Sequence, residues 1–131
     1  MFSDTWEELV FMKRFIAAAA LVLGIFLAQV SQAEAADVYV GTYSSGYKAY
    51  LMTETIRIER RDYMDYSCRV KAVNGGDVIY VDYSFWEDRQ RRLIEHFKNS
   101  QGYSGMFTFS DANGFYIEHN IDDYVSTNYY E

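Results

Sequence analysis

Hydrophobic and polar residues alternate with a period of two over much of the chain, which is the pattern of β-strands rather than helices. The alternation is most regular over residues 66–86, where only Asn74, Gly75, Gly76 and Asp77 interrupt it. Two glycines adopt the positive φ angles of a tight hairpin turn without steric cost, so they fix the register of the two strands. On the apolar face, the predicted hairpin pairs Ala72 with Ile79, Val70 with Val81, Cys68 with Tyr83 and Tyr66 with Phe85. On the other face it pairs Arg69 with Asp82 and Lys71 with Tyr80.

The same alternation predicts two further hairpins. One covers residues 37–52, with a three-residue loop that ends at Gly46. The other covers residues 106–119, with a loop at 112–114. In the first hairpin, this register pairs Val40 with Tyr50 and Val38 with Met52 on one face, and it puts Tyr39 and Leu51 on the other. In the second hairpin, one face carries Phe107, Phe109, Phe115 and Ile117.

Two segments are predicted to be helical. Residues 87–98 lack glycine and have few β-branched residues, which favours a helix, although Leu93, Glu95 and Phe97 also alternate as in a strand. Residues 120–130 are expected to close the chain with a short helix. Its start is predicted at Asp122 or Asp123. The predicted fold class is therefore β-rich α+β, a single antiparallel sheet built from hairpins with one helix packed against it.

The first 35 residues have a different character from the rest of the chain. A short basic start at 12–14 precedes an uninterrupted apolar run at 15–28, and small residues spaced A-x-A end at Ala33 and at Ala35. This order is typical of a secretory signal peptide, here residues 1–35, with cleavage after Ala33 or Ala35. We therefore expect export, and a protein that is secreted, periplasmic or on the cell surface.

Translation is expected to start at Met12, because Asp4, Glu7 and Glu8 put acid where a signal peptide is normally basic. The apolar run is shorter than the roughly 20 residues that a spanning helix needs, so no transmembrane span is expected after cleavage. Residues 36–131 are then predicted to form one mature domain.

The composition of the mature domain, without the leader, is the one that matters for its function. Two of the 12 basic and four of the 19 acidic residues are lost, which leaves a 96-residue domain with a formal net charge of −5 and all 13 tyrosines. An acidic domain is not expected to bind nucleic acid, because phosphate binding needs clustered positive charge. A single cysteine excludes an intrachain disulfide framework and a cysteine-based zinc site.

No catalytic constellation is recognised, so we expect a protein that is not an enzyme and carries no cofactor. Residues 102–106 resemble a nucleophile elbow but end in Met106 where glycine is required. Residues 111–114 share a few positions with a calcium loop, without its spacing or terminal glutamate, and are predicted to be a turn.

His96 and His119 each follow an isoleucine and a glutamate. Successive residues of a strand point to opposite faces, so neither Glu–His pair is expected to converge on a metal ion. Cys68 is predicted to be a small buried hydrophobe rather than a reactive thiol or an intermolecular disulfide.

The basic residues fall into two main groups, Arg60–Arg61 and Arg89–Arg91–Arg92. Acids are interleaved with both groups, namely Glu59, Asp62, Glu87, Asp88 and Glu95. This mixture favours a solvated face over a site for an anionic polymer.

A ligand-binding face is predicted on the outward side of the 66–86 hairpin, formed by Tyr80, Trp86, Arg69 and Lys71. Tyrosine and tryptophan favour interfaces, since each ring is apolar and carries one polar group. Trp86 is expected near the outward Arg69–Asp82 pair. The alternative is that a second layer from 87–98 covers this face.

The start of the mature domain is similar to small exported surface-adhesin-E-like proteins. The similarity consists of an aromatic strand directly after the leader, Asp37-Val38-Tyr39-Val40, and an aromatic strand that ends Thr53-Glu54-Thr55-Ile56-Arg57. It implies an antiparallel sheet with a packed helix and a role in binding extracellular or host proteins. Those proteins tend to carry paired cysteines, whereas Cys68 is alone.

Taken together, these features predict a small exported non-enzymatic binding module that presents a Tyr/Trp-bearing sheet face to an extracellular or cell-envelope protein ligand. One alternative is an exported inhibitor of a cell-wall-degrading enzyme, since a small acidic β-domain suits a basic target. The other is a hydrolase or metal-binding protein that uses His96 and His119.

Overall fold

A computed structural model describes residues 36–130, which form a six-stranded antiparallel sheet followed by one helix. Each strand pairs with the next one along the chain, so the order in the sheet is the order in the sequence. The predicted β-rich α+β class is therefore confirmed, and the predicted leader at 1–35 lies outside the described residues. The elements are β1 (Asp37–Thr42), β2 (Lys48–Arg60), β3 (Asp65–Asn74), β4 (Asp77–Glu87), β5 (Ile94–Asn99), β6 (Ser104–Thr108) and α1 (Tyr116–Tyr129).

The β3–β4 hairpin has the predicted register. All six predicted pairs occur, from Ala72 opposite Ile79 to Tyr66 opposite Phe85. The apolar members of these pairs face the core, where Tyr66, Val70, Val81 and Phe85 are almost completely buried.

The β1–β2 register is only partly as predicted. Near the loop Gly41 lies opposite Ala49, as expected, but the register then shifts between Tyr39 and Gly41. The predicted pairing of Val40 with Tyr50 and of Val38 with Met52 is therefore wrong. Tyr39 lies opposite Tyr50 and Val38 opposite Leu51, so Leu51 is buried in the core and Tyr39 is exposed. A one-residue bulge exchanges the faces of a strand because side chains alternate.

The predicted hairpin at 106–119 is wrong. Residues 104–108 pair with β5 instead, and α1 begins at Tyr116. Helical spacing brings Ile117, Ile121 and Val125 onto one buried stripe against the sheet, and this packing outweighs the local alternation.

The helix predicted at 87–98 is also wrong, since β5 occupies residues 94–99. This strand pairs with β4 on one side and β6 on the other, and its Phe97 is completely buried. The predicted C-terminal helix exists, but it begins earlier than Asp122. That aspartate is buried against the sheet rather than at the helix end.

The helix packs on one side of the sheet, which we call the inner face. Gly41 permits this contact, because a Cβ there would lie 2.9 Å from Ile117 Cγ1. The Asn120 amide also donates a 2.8 Å hydrogen bond to the Val40 carbonyl. The opposite side is called the outer face, and within residues 36–130 no helix or strand lies over it. In this part of the chain, no helix combines the length and apolar character needed to cross a membrane.

Candidate functional site

Three of the four predicted ligand-binding residues lie together on the outer face. The cross-strand pairs place Tyr39 beside Tyr50, Tyr50 beside Lys71, and Lys71 beside Tyr80. These four residues form a continuous line across β1–β4, which we call the tyrosine row. The Tyr39 and Tyr50 rings are 5.6 Å apart, and Tyr80 is 53% exposed. The row depends on the β1 bulge, which is why sequence reasoning put Tyr39 on the wrong face.

Arg69 contacts the tyrosine row at Tyr80 and pairs with an acid of the same strand, β4. Its Nε donates a 2.7 Å hydrogen bond to Asp82 Oδ1, and its guanidinium lies 5.6 Å from the centre of the Tyr80 ring. The hydrogen bond from Arg69 lowers the pKa of Asp82 from its ordinary value. Lys71 forms a similar pair with Asp37 at 3.1 Å. Both cations are therefore positioned by carboxylates on other strands: Asp82 on the adjacent β4 for Arg69, and Asp37 on β1, beyond β2, for Lys71.

Trp86 lies on the same face but in a different group. Its ring stacks on His96 with centroids 5.5 Å apart, and His96 Nε2 lies 2.8 Å from Asp88 Oδ2. Trp86 lies six positions after Tyr80, which is about 20 Å along an extended strand. Its ring contact is with His96, whereas the predicted neighbour was the Arg69–Asp82 pair. The alternative of a layer from 87–98 over this face is wrong, because β5 extends the sheet sideways.

A shallow groove of about 540 Å³ adjoins Arg69 on this face, within the usual volume range of ligand sites. It opens where the β2–β3 register shifts between Met52 and Arg57. Thr55 holds the shifted segment, since its Oγ1 donates to the Met52 carbonyl at 2.6 Å and accepts from the Arg69 amide at 2.8 Å. No turn residue or period change in the sequence marks this irregularity. Among the lining residues are Glu54, Thr55, Arg57, Ser67, Arg69 and Asp82.

The inner face contains a feature that sequence reasoning missed. Asp65, Glu87, Glu95 and Asp122 are all buried, and we call them the buried carboxylate cluster. Glu95 is only 1% exposed, and among the described residues neither of its carboxylate oxygens has a hydrogen-bond partner. Burial, reinforced by the neighbouring acids, raises the pKa of Glu95 far above its ordinary value. This shift favours the protonated, uncharged form of its side chain.

Tyrosine hydroxyls connect the sheet to the acids of α1. Tyr66 donates a 2.7 Å hydrogen bond to Asp122, and Tyr83 donates one of 2.6 Å to Glu118. Burial raises the pKa of Asp122, and the Tyr66 hydrogen bond opposes that shift. The Tyr43 hydroxyl lies 2.8 Å from that of Tyr83. The high tyrosine content suggested an interface, but Tyr66 and Tyr83 form hydrogen bonds inside the protein instead.

The two histidines are not brought together. His96 stacks on Trp86 at the outer face, whereas His119 lies on α1, edge-on to the core residue Phe107 with ring centroids 5.5 Å apart. The sheet lies between them. Across the described range 36–130, no group of three or more His, Cys, Asp or Glu residues has the geometry to hold a metal ion.

The remaining candidate residues lie in surroundings that indicate a structural role rather than a catalytic or metal-binding one. Cys68 is a free thiol, 5% exposed, and burial raises its pKa to about 12. Ser104 begins edge strand β6, so the strand–turn–helix context of a nucleophile elbow does not occur there. Residues 111–114 form a turn in which the Asp111 carboxylate accepts from the Asn113 amide at 2.9 Å.

Comparison with protein-family models, with curated proteins and with solved structures finds no match in any of the three.

Proposed function

We propose that this chain is a small exported, non-enzymatic binding module whose outer face contacts a protein ligand outside the cell or in the cell envelope. The observation that carries the proposal is the tyrosine row, together with Arg69, on a sheet face that no other described element covers. Tyrosine, tryptophan and arginine dominate the binding energy of protein interfaces.

The outer face is suited to binding because its side chains are already positioned. Arg69 is held between Asp82 and the Tyr80 ring, and Lys71 is held by Asp37. Side chains that are fixed before association lose less conformational entropy on binding. Each fixed cation also keeps donors that point away from its carboxylate, so the ligand we expect is a protein surface with hydrogen-bond acceptors and apolar side chains.

Export is part of the proposal and rests on the leader pattern. Mass spectrometry of the protein recovered from outside the cytoplasm should show a new N-terminus immediately after Ala33 or Ala35. Retention of the intact leader on a cytoplasmic protein would contradict export while leaving the outer face to be tested separately.

The binding proposal is tested with the purified full chain and photo-crosslinkers placed on the outer face. Ligands captured from extracellular and envelope fractions are identified, and their affinities are measured for Tyr80→Ala and Trp86→Ala. We expect a loss of at least about tenfold for Tyr80→Ala, as for a central interface residue. Tyr116→Ala is the matched control, since Tyr116 is 70% exposed and lies at the start of α1. Unchanged affinity in both outer-face variants would refute the proposal.

A further inference from the structure

The two arginine groups of the sequence meet at one end of the sheet. The whole β3–β4 hairpin separates them along the chain, yet both reach the ring of Tyr63 in the β2–β3 turn. The guanidinium carbons of Arg89, Arg92 and Arg60 lie 3.9, 4.7 and 5.1 Å from the centre of that ring. No two of the three are therefore more than about 10 Å apart, and all are within cation–π range of one aromatic ring. We call Arg60, Arg89 and Arg92 the arginine cluster.

The acids that pair with two of these arginines lie beneath them. Arg89 binds Asp65, whose side chain is 11% exposed while that of the arginine is 44% exposed. Arg92 binds Glu87, with side-chain exposures of 58% for the arginine and 7% for the acid. The guanidinium groups therefore face solvent and the carboxylates face the protein. This arrangement weakens the reason for which the sequence favoured an ordinary solvated face, since Glu87 and Glu95 are buried and only Glu59 and Asp62 of the interleaved acids are exposed.

Part of the hydrogen-bonding capacity of the cluster is unused. Arg60 makes no side-chain hydrogen bond to any other described residue, and its only ion pair in that range is 4.0 Å long, to the exposed Asp62. Arg92 uses Nε for Glu87 and Nη2 for the Asp62 carbonyl at 3.3 Å, which leaves Nη1 without a partner among residues 36–130. A guanidinium offers five N–H donors in a planar fork.

We infer that the arginine cluster is a binding site for ligands that carry two or more neighbouring phosphate groups. Planar guanidinium forks match the oxygen geometry of phosphate, and three of them on one ring present donors from several directions. Their buried carboxylates hold Arg89 and Arg92 in place, so little side-chain entropy is lost on binding. The site lies at the end of the strands and is independent of the proposed outer-face function.

The surrounding charges limit the strength of this site and make it sensitive to salt. Asp62 and Glu59 are exposed nearby and oppose an anion, whereas Arg61 adds a cation at the same turn. Interactions between exposed charges are screened over about 8 Å at physiological ionic strength. Binding should therefore be measurable at low salt and should weaken as sodium chloride is added.

The test uses the purified full chain and inorganic tripolyphosphate as the probe. Amide signals of residues 60–63 and 88–92 should shift on titration at low salt, and Arg60→Ala should weaken the affinity at least about fivefold. Arg60 is chosen because it has no buried partner, whereas loss of Arg89 removes the ion pair of the buried Asp65. Lys48→Ala removes the same charge at the other end of β2 and should have no comparable effect.

Vesicles distinguish the possible sources of the phosphate. If sedimentation with cardiolipin vesicles, whose headgroup carries two phosphates, depends on Arg60 while phosphatidylcholine vesicles do not bind, a lipid headgroup is the source. If only tripolyphosphate binds, a soluble or polymeric phosphate is the source. Absence of binding to both probes overturns the inference. Equal weakening by Arg60→Ala and Lys48→Ala also overturns it, because that result indicates a general effect of net charge.

Discussion

The hydroxyl of Tyr66 on β3 donates a 2.7 Å hydrogen bond to the Oδ1 atom of Asp122 on α1. Both residues are buried, so this bond joins the sheet to the helix in a region from which water is excluded. A buried polar group without a partner costs considerably more than an exposed one. The helix therefore depends on tyrosines of the sheet as well as on its apolar stripe.

Tyr66→Phe should lower the free energy of unfolding by about 1–3 kcal/mol, because Asp122 then loses its hydrogen bond while the aromatic ring is kept. Urea unfolding followed by circular dichroism measures the change. Tyr103→Phe is the control, since Tyr103 is exposed and its hydroxyl has no partner among the described residues. Equal effects of the two substitutions would contradict a stabilising role for the Tyr66–Asp122 bond.

Glu95 is expected to make the protein less stable as the pH rises. Its pKa in the folded state is raised above the ordinary value of 4.5, so the folded protein holds this proton more strongly than the unfolded chain does. Stability contributed by the protonated group is complete below that ordinary pKa and declines as the pH rises towards the folded value. Burial raises the pKa of Asp122 as well, which acts in the same direction.

Glu95→Gln removes the ionisation of Glu95 and should reduce the fall in stability between pH 5 and pH 8. Urea unfolding across this range measures the slope, and Glu54→Gln, at an exposed carboxylate of β2, is the control. A slope that is unchanged by Glu95→Gln would mean that Glu95 is not the group that holds the proton.

The Phe115 ring lies directly over Gly105. The ring fits at this position because glycine has no side chain. A Cβ at Gly105 would be 2.5 Å from Phe115 Cζ and 3.0 Å from Phe97 Cε1. Gly105→Ala should therefore destabilise the fold by about 1–3 kcal/mol, as overpacking does. Thermal unfolding measures this loss.

A second substitution tests the cause of that loss. Phe115→Leu should recover part of the stability in the Gly105→Ala background, because it shortens the clashing side chain. Gly76→Ala is the matched control, since a Cβ there meets no atom within 4 Å. A larger loss for Gly76→Ala than for Gly105→Ala would refute the packing argument.

The Cys68 thiol should be unreactive in the folded protein. It is buried in the core, and its pKa of about 12 leaves very little thiolate at neutral pH. Labelling with an aromatic disulfide reagent should be slow without denaturant and complete in urea. Rapid labelling of the native protein would indicate that β3 opens locally at this position.

The sequence predicted best where turn chemistry and alternation agree. The two-residue turn at 75–76, in which only Gly75 has a positive φ, fixes the β3–β4 register, so all six pairs of that hairpin were correct. In β1 the bulge before Gly41 reversed the faces of Val38 and Tyr39, and alternation alone contains no signal for an inserted residue. This bulge also created the tyrosine row, which is why only part of the candidate face was predicted.

Buried acids explain the two errors in the second half of the chain. Glu95 faces the core beside Phe97, so β5 did not have the apolar–polar alternation of a half-buried strand. In α1, Glu118 and Asp122 lie along the buried stripe and conceal its helical period. Because carboxylates are rarely buried, the hydrophobic pattern of the sequence predicts that they lie at the surface. The tyrosine hydroxyls that satisfy the two helical acids come from strands distant in sequence.

The sequence by itself determined the strand-rich character of the domain, the β3–β4 register and the placement of Arg69, Lys71 and Tyr80 on one face. These features follow from local periodicity and turn geometry, which act between residues close in the chain. Only the tertiary structure decided that Glu95 and Asp122 are buried and that the arginine groups meet at Tyr63. Burial and charge clustering depend on contacts between distant segments, and those contacts exist only once the sheet has formed.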